Sequence, residues 1–282
     1  MSNLLKKILD FYLYSSIHIA LAATSLVVQS YVLLNLQMDI HYILFIFAGT
    51  LFLYALHNVK GINTEEETRD KMIIITKMKI PLLVLLGLSA AALMYNLFYL
   101  SFSVILYLSI LGFISIWYVV PVFGKQKRLR DYSLVKVFLI ALVWATLSFI
   151  PLLENDISIK VKILLFMQNY FYIFALTVPF DIRDCEYEKI KGLNTIPSMI
   201  GRWNSIILSI LLLAGSILIS YLQIESYGTT SFTALIIGYL LTIIAVTGSH
   251  NKTNDYYYTG LLDGMTIGIL LLVVVSHFIL AN

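Results

Sequence analysis

The chain has 282 residues, 60% of them hydrophobic and 12% charged, with a mean hydropathy of +0.88. A soluble domain is about 45–50% apolar and about 25% charged, so a soluble globule and a disordered chain are excluded, and the single cysteine, Cys185, excludes an internal disulfide scaffold. The formal net charge of +3 is too small to point to nucleic acid as a partner.

What remains is an all-α, polytopic integral membrane protein, read as one domain over residues 1–282. A window of about 20 residues, the length of a helix that crosses the hydrocarbon core, divides the chain into nine apolar segments. They lie at 11–36, 40–57, 80–98, 101–121, 134–153, 161–180, 204–223, 230–248 and 257–280. Their Leu, Ile, Val and Phe content without sustained alternation predicts transmembrane helices rather than barrel strands. The first segment follows Lys6 and Lys7 and contains Ala20-Leu21-Ala22, a small-residue site of the kind found in signal peptides. Its apolar run continues to Leu36, which predicts a retained span.

Basic residues set the orientation, because short loops rich in Lys and Arg stay on the cytoplasmic side. With the N-terminus inside, 17 of the 19 basic residues and 12 of the 16 acidic ones fall on the inner side, leaving only Lys160 and Lys162 among the bases outside. A multi-pass protein of the cell membrane with a cytoplasmic N-terminus is expected, with its chemistry on the cytoplasmic face.

Two inner segments are acidic. The first follows the second helix and runs from His57 and Asn58 through Glu65, Glu66 and Glu67 to Asp70. The second follows the sixth helix and reads Asp181-Ile182-Arg183-Asp184-Cys185-Glu186-Tyr187-Glu188. If the sixth helix runs past Pro179, then Asp181, Asp184 and Glu188 stand at i, i+3 and i+7 on one face. Carboxylates so placed repel one another, and a hard cation such as Mg²⁺, which takes one or two protein carboxylates plus substrate phosphates, relieves the repulsion. The same spacing also suits a solvated helix end with Arg183, Lys189 and Lys191 as partners.

The stretch from Asp181 to Gly201 closely resembles the second aspartate-rich motif of the UbiA family of intramembrane prenyltransferases. Asp181, Asp184 and Glu186 match, Glu188 stands for the last aspartate, and Gly192, Thr195, Pro197 and Gly201 keep the trailing frame. The resemblance implies a UbiA-like helical bundle and Mg²⁺-dependent transfer of an isoprenyl group from a polyprenyl diphosphate to a lipophilic, often aromatic, acceptor within the membrane. It implies that Asp181, Asp184 and Glu188 are catalytic metal carboxylates. The family's first motif, laid on Asn58, places Val59 and Ile62 where carboxylates are expected and leaves Glu66 as the acidic position. Asn58 and Glu66 are thus carried over as diphosphate and metal contacts. The departure at 59 and 62 keeps a second expectation open, a catalytically inactive UbiA-like protein that binds an isoprenoid lipid.

The basic run Lys125 to Arg130 looks like the family's basic segment after helix 4, and Lys127, Arg128 and Arg130 are carried over as diphosphate contacts. It reads equally as a topogenic loop that meets anionic lipid. Tyr118, Asn169 and Asp263 are further pocket candidates. An ionisable group in a span points to function, yet Asp263 is flanked by Gly260, Gly264 and Gly268, whose spacing suits a close helix contact. Lys136, just inside the fifth helix, is read as a snorkelling side chain.

Overall fold

The computed structural model describes residues 3–61, 70–119, 133–190, 193–251 and 254–280. They form helices α1 (Asn3–Tyr14), α2 (Ile17–Leu33), α3 (Ile40–Gly61), α4 (Asp70–Lys77), α5 (Lys79–Leu97), α6 (Phe102–Val119) and α7 (Ser133–Phe149). There follow α8 (Ile159–Ile190), α9 (Ile196–Ile200), α10 (Arg202–Tyr221), α11 (Ile224–Tyr227), α12 (Thr229–Gly248) and α13 (Asp263–Leu280). A π-helical stretch, Tyr256–Leu262, leads into α13. No strand occurs among the described residues.

Within the described residues each of the nine predicted apolar segments falls mainly on helix, but they are not nine equal spans. Among the described residues, 7 helices are long and apolar enough to cross a membrane on their own, and α1 with α2 makes an eighth only as a pair bent by 54°. The apolar stretch Phe102–Tyr118 falls short of the length of the others. The chain is a multi-pass integral membrane protein.

The first segment breaks where the sequence predicts continuity. Ser16 adopts a left-handed backbone with φ of 75°, a conformation L-residues rarely take. The Asn58 side chain of α3 holds this turn, donating to the Tyr14 carbonyl oxygen at 3.3 Å and to Ser16 Oγ at 3.0 Å. A break fixed from 42 residues away leaves no local signal in the run 11–36.

Six helices pack in a closed ring, in the order α2, α7, α8, α10, α12, α13 and back to α2. Their inward faces form the largest buried cluster, including Tyr172, Leu213, Tyr239 and Leu262. Close approach is permitted where side chains vanish: a Cβ at Gly238 of α12 would lie 2.5 Å from Ile269 of α13. Outside the ring, α3 packs on α2 and α5, and α6 packs on α3.

Helix α8 positions the charged site. At 32 residues it is about 48 Å long at 1.5 Å per residue, well beyond the roughly 30 Å of hydrocarbon. It continues through Pro179 without ending, and the Thr177 hydroxyl bonds the Ile173 and Phe174 carbonyls one turn back, as Ser and Thr commonly do near prolines in membrane helices. The acidic run therefore stands on regular helix.

Candidate functional site

The C-terminal turns of α8 meet the N-terminal turn of α7. Lys136 Nζ lies 2.6 Å from Asp181 Oδ1 and 2.9 Å from Glu188 Oε1, so one ammonium bridges two carboxylates that are two helical turns apart. Asp181 is fully buried. A buried charge in this position is tolerated only with a partner, and Lys136 is that partner, not a snorkelling side chain. Asp181 Oδ2 and Glu188 Oε2 are buried with no hydrogen-bond donor among the described residues.

Asp184 is engaged differently. Arg183 grips it through Nε at 2.8 Å and Nη2 at 3.2 Å, and reaches across to Asp255 Oδ1 with Nη1 at 3.0 Å. The guanidinium also stands over the rings of Tyr258 and Phe180, at 4.9 and 5.5 Å from their centroids. This crosslink ties the end of α8 to the segment before α13. Glu186 points outward and pairs with Arg202 at 2.7 Å.

Asp181, Asp184 and Glu188 therefore share a helix end but divide between two cations, Asp181 and Glu188 on Lys136 and Asp184 on Arg183. Among the described residues, no group of three or more His, Cys, Asp or Glu side chains is gathered closely enough to hold a metal by itself. Asp181 and Glu188 alone still suit a hard divalent cation, because Mg²⁺ completes its octahedron with substrate phosphates and water. Their two donor-free buried oxygens are the structural sign of that fit.

An apolar cavity of about 310 Å³ lies between α3, α6 and α7, with Leu93 of α5 also in its wall. Phe52, Tyr54 and Trp144 contribute aromatic faces, and His57 and Tyr118 stand at its charged end. Leu139 and Ile140 of the lining stand one helical turn from Lys136 on α7, so this end of the cavity adjoins the Lys136 cluster. Tyr118, named from sequence as a pocket residue, is a wall of this cavity.

The other sequence candidates lie elsewhere. Asn58 is committed to the turn at Ser16. Asn169 is buried on α8 and donates to Ser148 Oγ of α7 at 2.8 Å. Asp263 is the first residue of α13, and two of its flanking glycines approach the N-terminal helices, Gly260 against Leu13 and Gly264 against His18. Glu66, Lys127, Arg128 and Arg130 lie outside the described residues. Sequence reasoning missed Asp255 and the bridging role of Lys136. The one available signal for Lys136 was a lone lysine inside an apolar span.

No protein-family model and no curated protein matches the sequence. Solved structures do match it in shape along nearly its whole length. A UbiA homologue from Archaeoglobus fulgidus bound to GPP and Mg²⁺ is 10% identical, with a TM-score of 0.64 over 94% of this chain and 99% of that one. A UbiA homologue from Aeropyrum pernix K1, in its apo form, is 11% identical, with a TM-score of 0.62 over 94% of this chain and 98% of that one. A structure described as digeranylgeranylglyceryl phosphate synthase is 14% identical, with a TM-score of 0.57 over 97% of this chain and 98% of that one. Similarity at these identities speaks to architecture, and this chain has the fold of the UbiA homologues.

Proposed function

We propose that the protein transfers an isoprenyl group from its diphosphate to a lipophilic acceptor within the membrane, with Mg²⁺ as the cofactor. The observation that carries this reading is the meeting of an apolar cavity with the charged cluster of Lys136, Asp181 and Glu188, one turn of α7 beyond the lining residues Leu139 and Ile140. That arrangement matches an amphiphile with a greasy tail and an anionic head. The solved homologue bound to GPP and Mg²⁺ supports the same ligand class.

Charge balance supports a divalent cation. At the cluster, four carboxylates (Asp181, Asp184, Glu188 and Asp255) face two described cations, Lys136 and Arg183. A diphosphate adds further negative charge, so its approach requires positive charge from outside the cluster. Asp181 and Glu188 would hold Mg²⁺, which supplies neutralisation of the departing diphosphate. Lys127, Arg128 and Arg130, with Glu66 from the first acidic segment, complete the proposed head-group set; Asn58, spent on the Ser16 turn, is left out of it. In the reaction the bond between C1 of the isoprenyl chain and the diphosphate oxygen breaks, the acceptor bonds to C1, and the acceptor loses a proton. The cavity wall excludes water from the allylic carbon. The ring of Tyr54, less than one turn from His57, favours positive charge developing there. We place the charged end on the cytoplasmic side, where the basic residues collect.

A second reading has its own observation. Lys136 occupies the space between Asp181 and Glu188, and Arg183 engages Asp184, an arrangement that also suits a protein that binds an isoprenoid lipid without ionising it. Purified protein given Mg²⁺ and a panel of isoprenyl diphosphates separates the two. Diphosphate release that is lost in Asp181→Ala supports the transferase, whereas bound isoprenoid with no release at any chain length supports the lipid binder.

A further inference from the structure

The apolar cavity has a measurable depth. Its lining runs from His57 to Phe45 on α3, from Tyr118 to Leu108 on α6 and from Leu139 to Leu147 on α7, or about 12–18 Å at 1.5 Å of rise per residue. Packed side chains bound its far end. Phe45, Ile46, Leu108 and Leu147 belong there to a packed cluster with buried Tyr42, whose hydroxyl donates to the Leu147 carbonyl oxygen at 2.7 Å.

An extended isoprenyl chain advances about 5 Å per five-carbon unit, from four carbon–carbon bonds of roughly 1.5 Å projected on its axis. With the head group at the Tyr118 end, the far end therefore falls at the third to fourth unit. Gly112 marks the middle of the path. It lines the cavity six residues from Tyr118, about 9 Å deeper at helical rise, and a Cβ built on it meets nothing within 4 Å. Its backbone is ordinary helix, so a side chain placed there enters the open space without strain.

We infer that the cavity between α3, α6 and α7 is a length ruler for the donor's tail, matched to fifteen- and twenty-carbon isoprenyl chains, and that the missing side chain at Gly112 makes room for the third unit and beyond. The inference rests on the proposed donor site and adds to it the chain-length class.

The test measures binding, not turnover. Isoprenyl thiodiphosphates of five to thirty carbons are titrated with Mg²⁺ against the full-length protein in nanodiscs, and affinity is read by competition and by ligand-induced melting shifts. Wild type tightens with each added unit up to fifteen or twenty carbons and then levels off. Gly112→Leu levels off at ten carbons, with binding of the fifteen- and twenty-carbon ligands weakened about tenfold or more for loss of buried apolar surface. Gly112→Ala gives an intermediate profile and stands in should the Leu variant fail to fold. Gly87→Leu, on α5, is the control: its Cβ also meets nothing within 4 Å, but Gly87 is not part of the cavity wall, so its profile matches wild type. Wild-type affinity that keeps rising to thirty carbons, or a folded Gly112→Leu protein with the wild-type profile, overturns the ruler while leaving the donor site standing. Absence of binding at every chain length overturns the donor site and the ruler together.

Discussion

Helix α8 buries two polar groups, Gln168 and the Asp181 end, about 20 Å apart along its axis, and they are completed in opposite ways. Gln168, in the apolar stretch, is closed on every side. Its Oε1 accepts from Gln223 Nε2 at 3.2 Å and Tyr227 Oη at 3.1 Å, its Nε2 donates to Tyr239 Oη at 3.0 Å, and its backbone oxygen accepts from Ser216 Oγ at 3.1 Å. Asp181 and Glu188, at the charged end, share one ammonium and keep two buried oxygens without donors among the described residues. The first group uses neutral hydrogen bonds to fasten α8 to α10, α11 and α12. The second is left incomplete beside a cavity. Burial alone does not distinguish the two groups; the second carries buried carboxylates whose charge one ammonium does not balance.

That contrast can be broken by substitution. Asp181→Ala should lower Mg²⁺-dependent diphosphate release by about 10²–10³-fold, the typical loss when one electrostatic contact to a departing group is removed, while the protein still folds because Lys136 keeps Glu188. A steady-state release assay reads this directly. Lys136→Met strands two carboxylates at the same place, one of them fully buried, and should destabilise the protein by about 3–5 kcal/mol, seen as a lowered melting temperature in detergent. Gln168→Leu should cost about 0.6–2 kcal/mol of stability, the range measured for hydrogen bonds between membrane helices, and leave the ligand affinity of the folded protein unchanged. A marked loss of affinity in that variant would erase the distinction between the two groups. Glu186→Ala, which removes an exposed partner of Arg202, should change stability by about 0–1 kcal/mol and so sets the baseline for the other three.

The apolar segments were legible because hydrophobic length reports directly on the bilayer. The acidic run was legible too: Asp181, Asp184 and Glu188 do stand on continuous helix, as their spacing requires. What captures each of them was not. Lys136 is 45 residues from Asp181 in the chain and Asp255 is 72 from Arg183, so the pairing depends on how α7, α8 and the segment before α13 are packed. The break at Ser16 escaped for the same reason, since Asn58 of α3 holds it. The cavity is a property of four helices at once, Leu93 of α5 joining α3, α6 and α7, and composition distributes aromatic residues over lipid contacts and cavity walls alike.

Diphosphate release from geranylgeranyl diphosphate, followed in nanodiscs with Mg²⁺ and again with excess EDTA, tests the central claim most directly. The account predicts release with Mg²⁺ that disappears in EDTA and in Asp181→Ala. Release that persists in both, or no release from a protein that nevertheless binds the diphosphate, would contradict it.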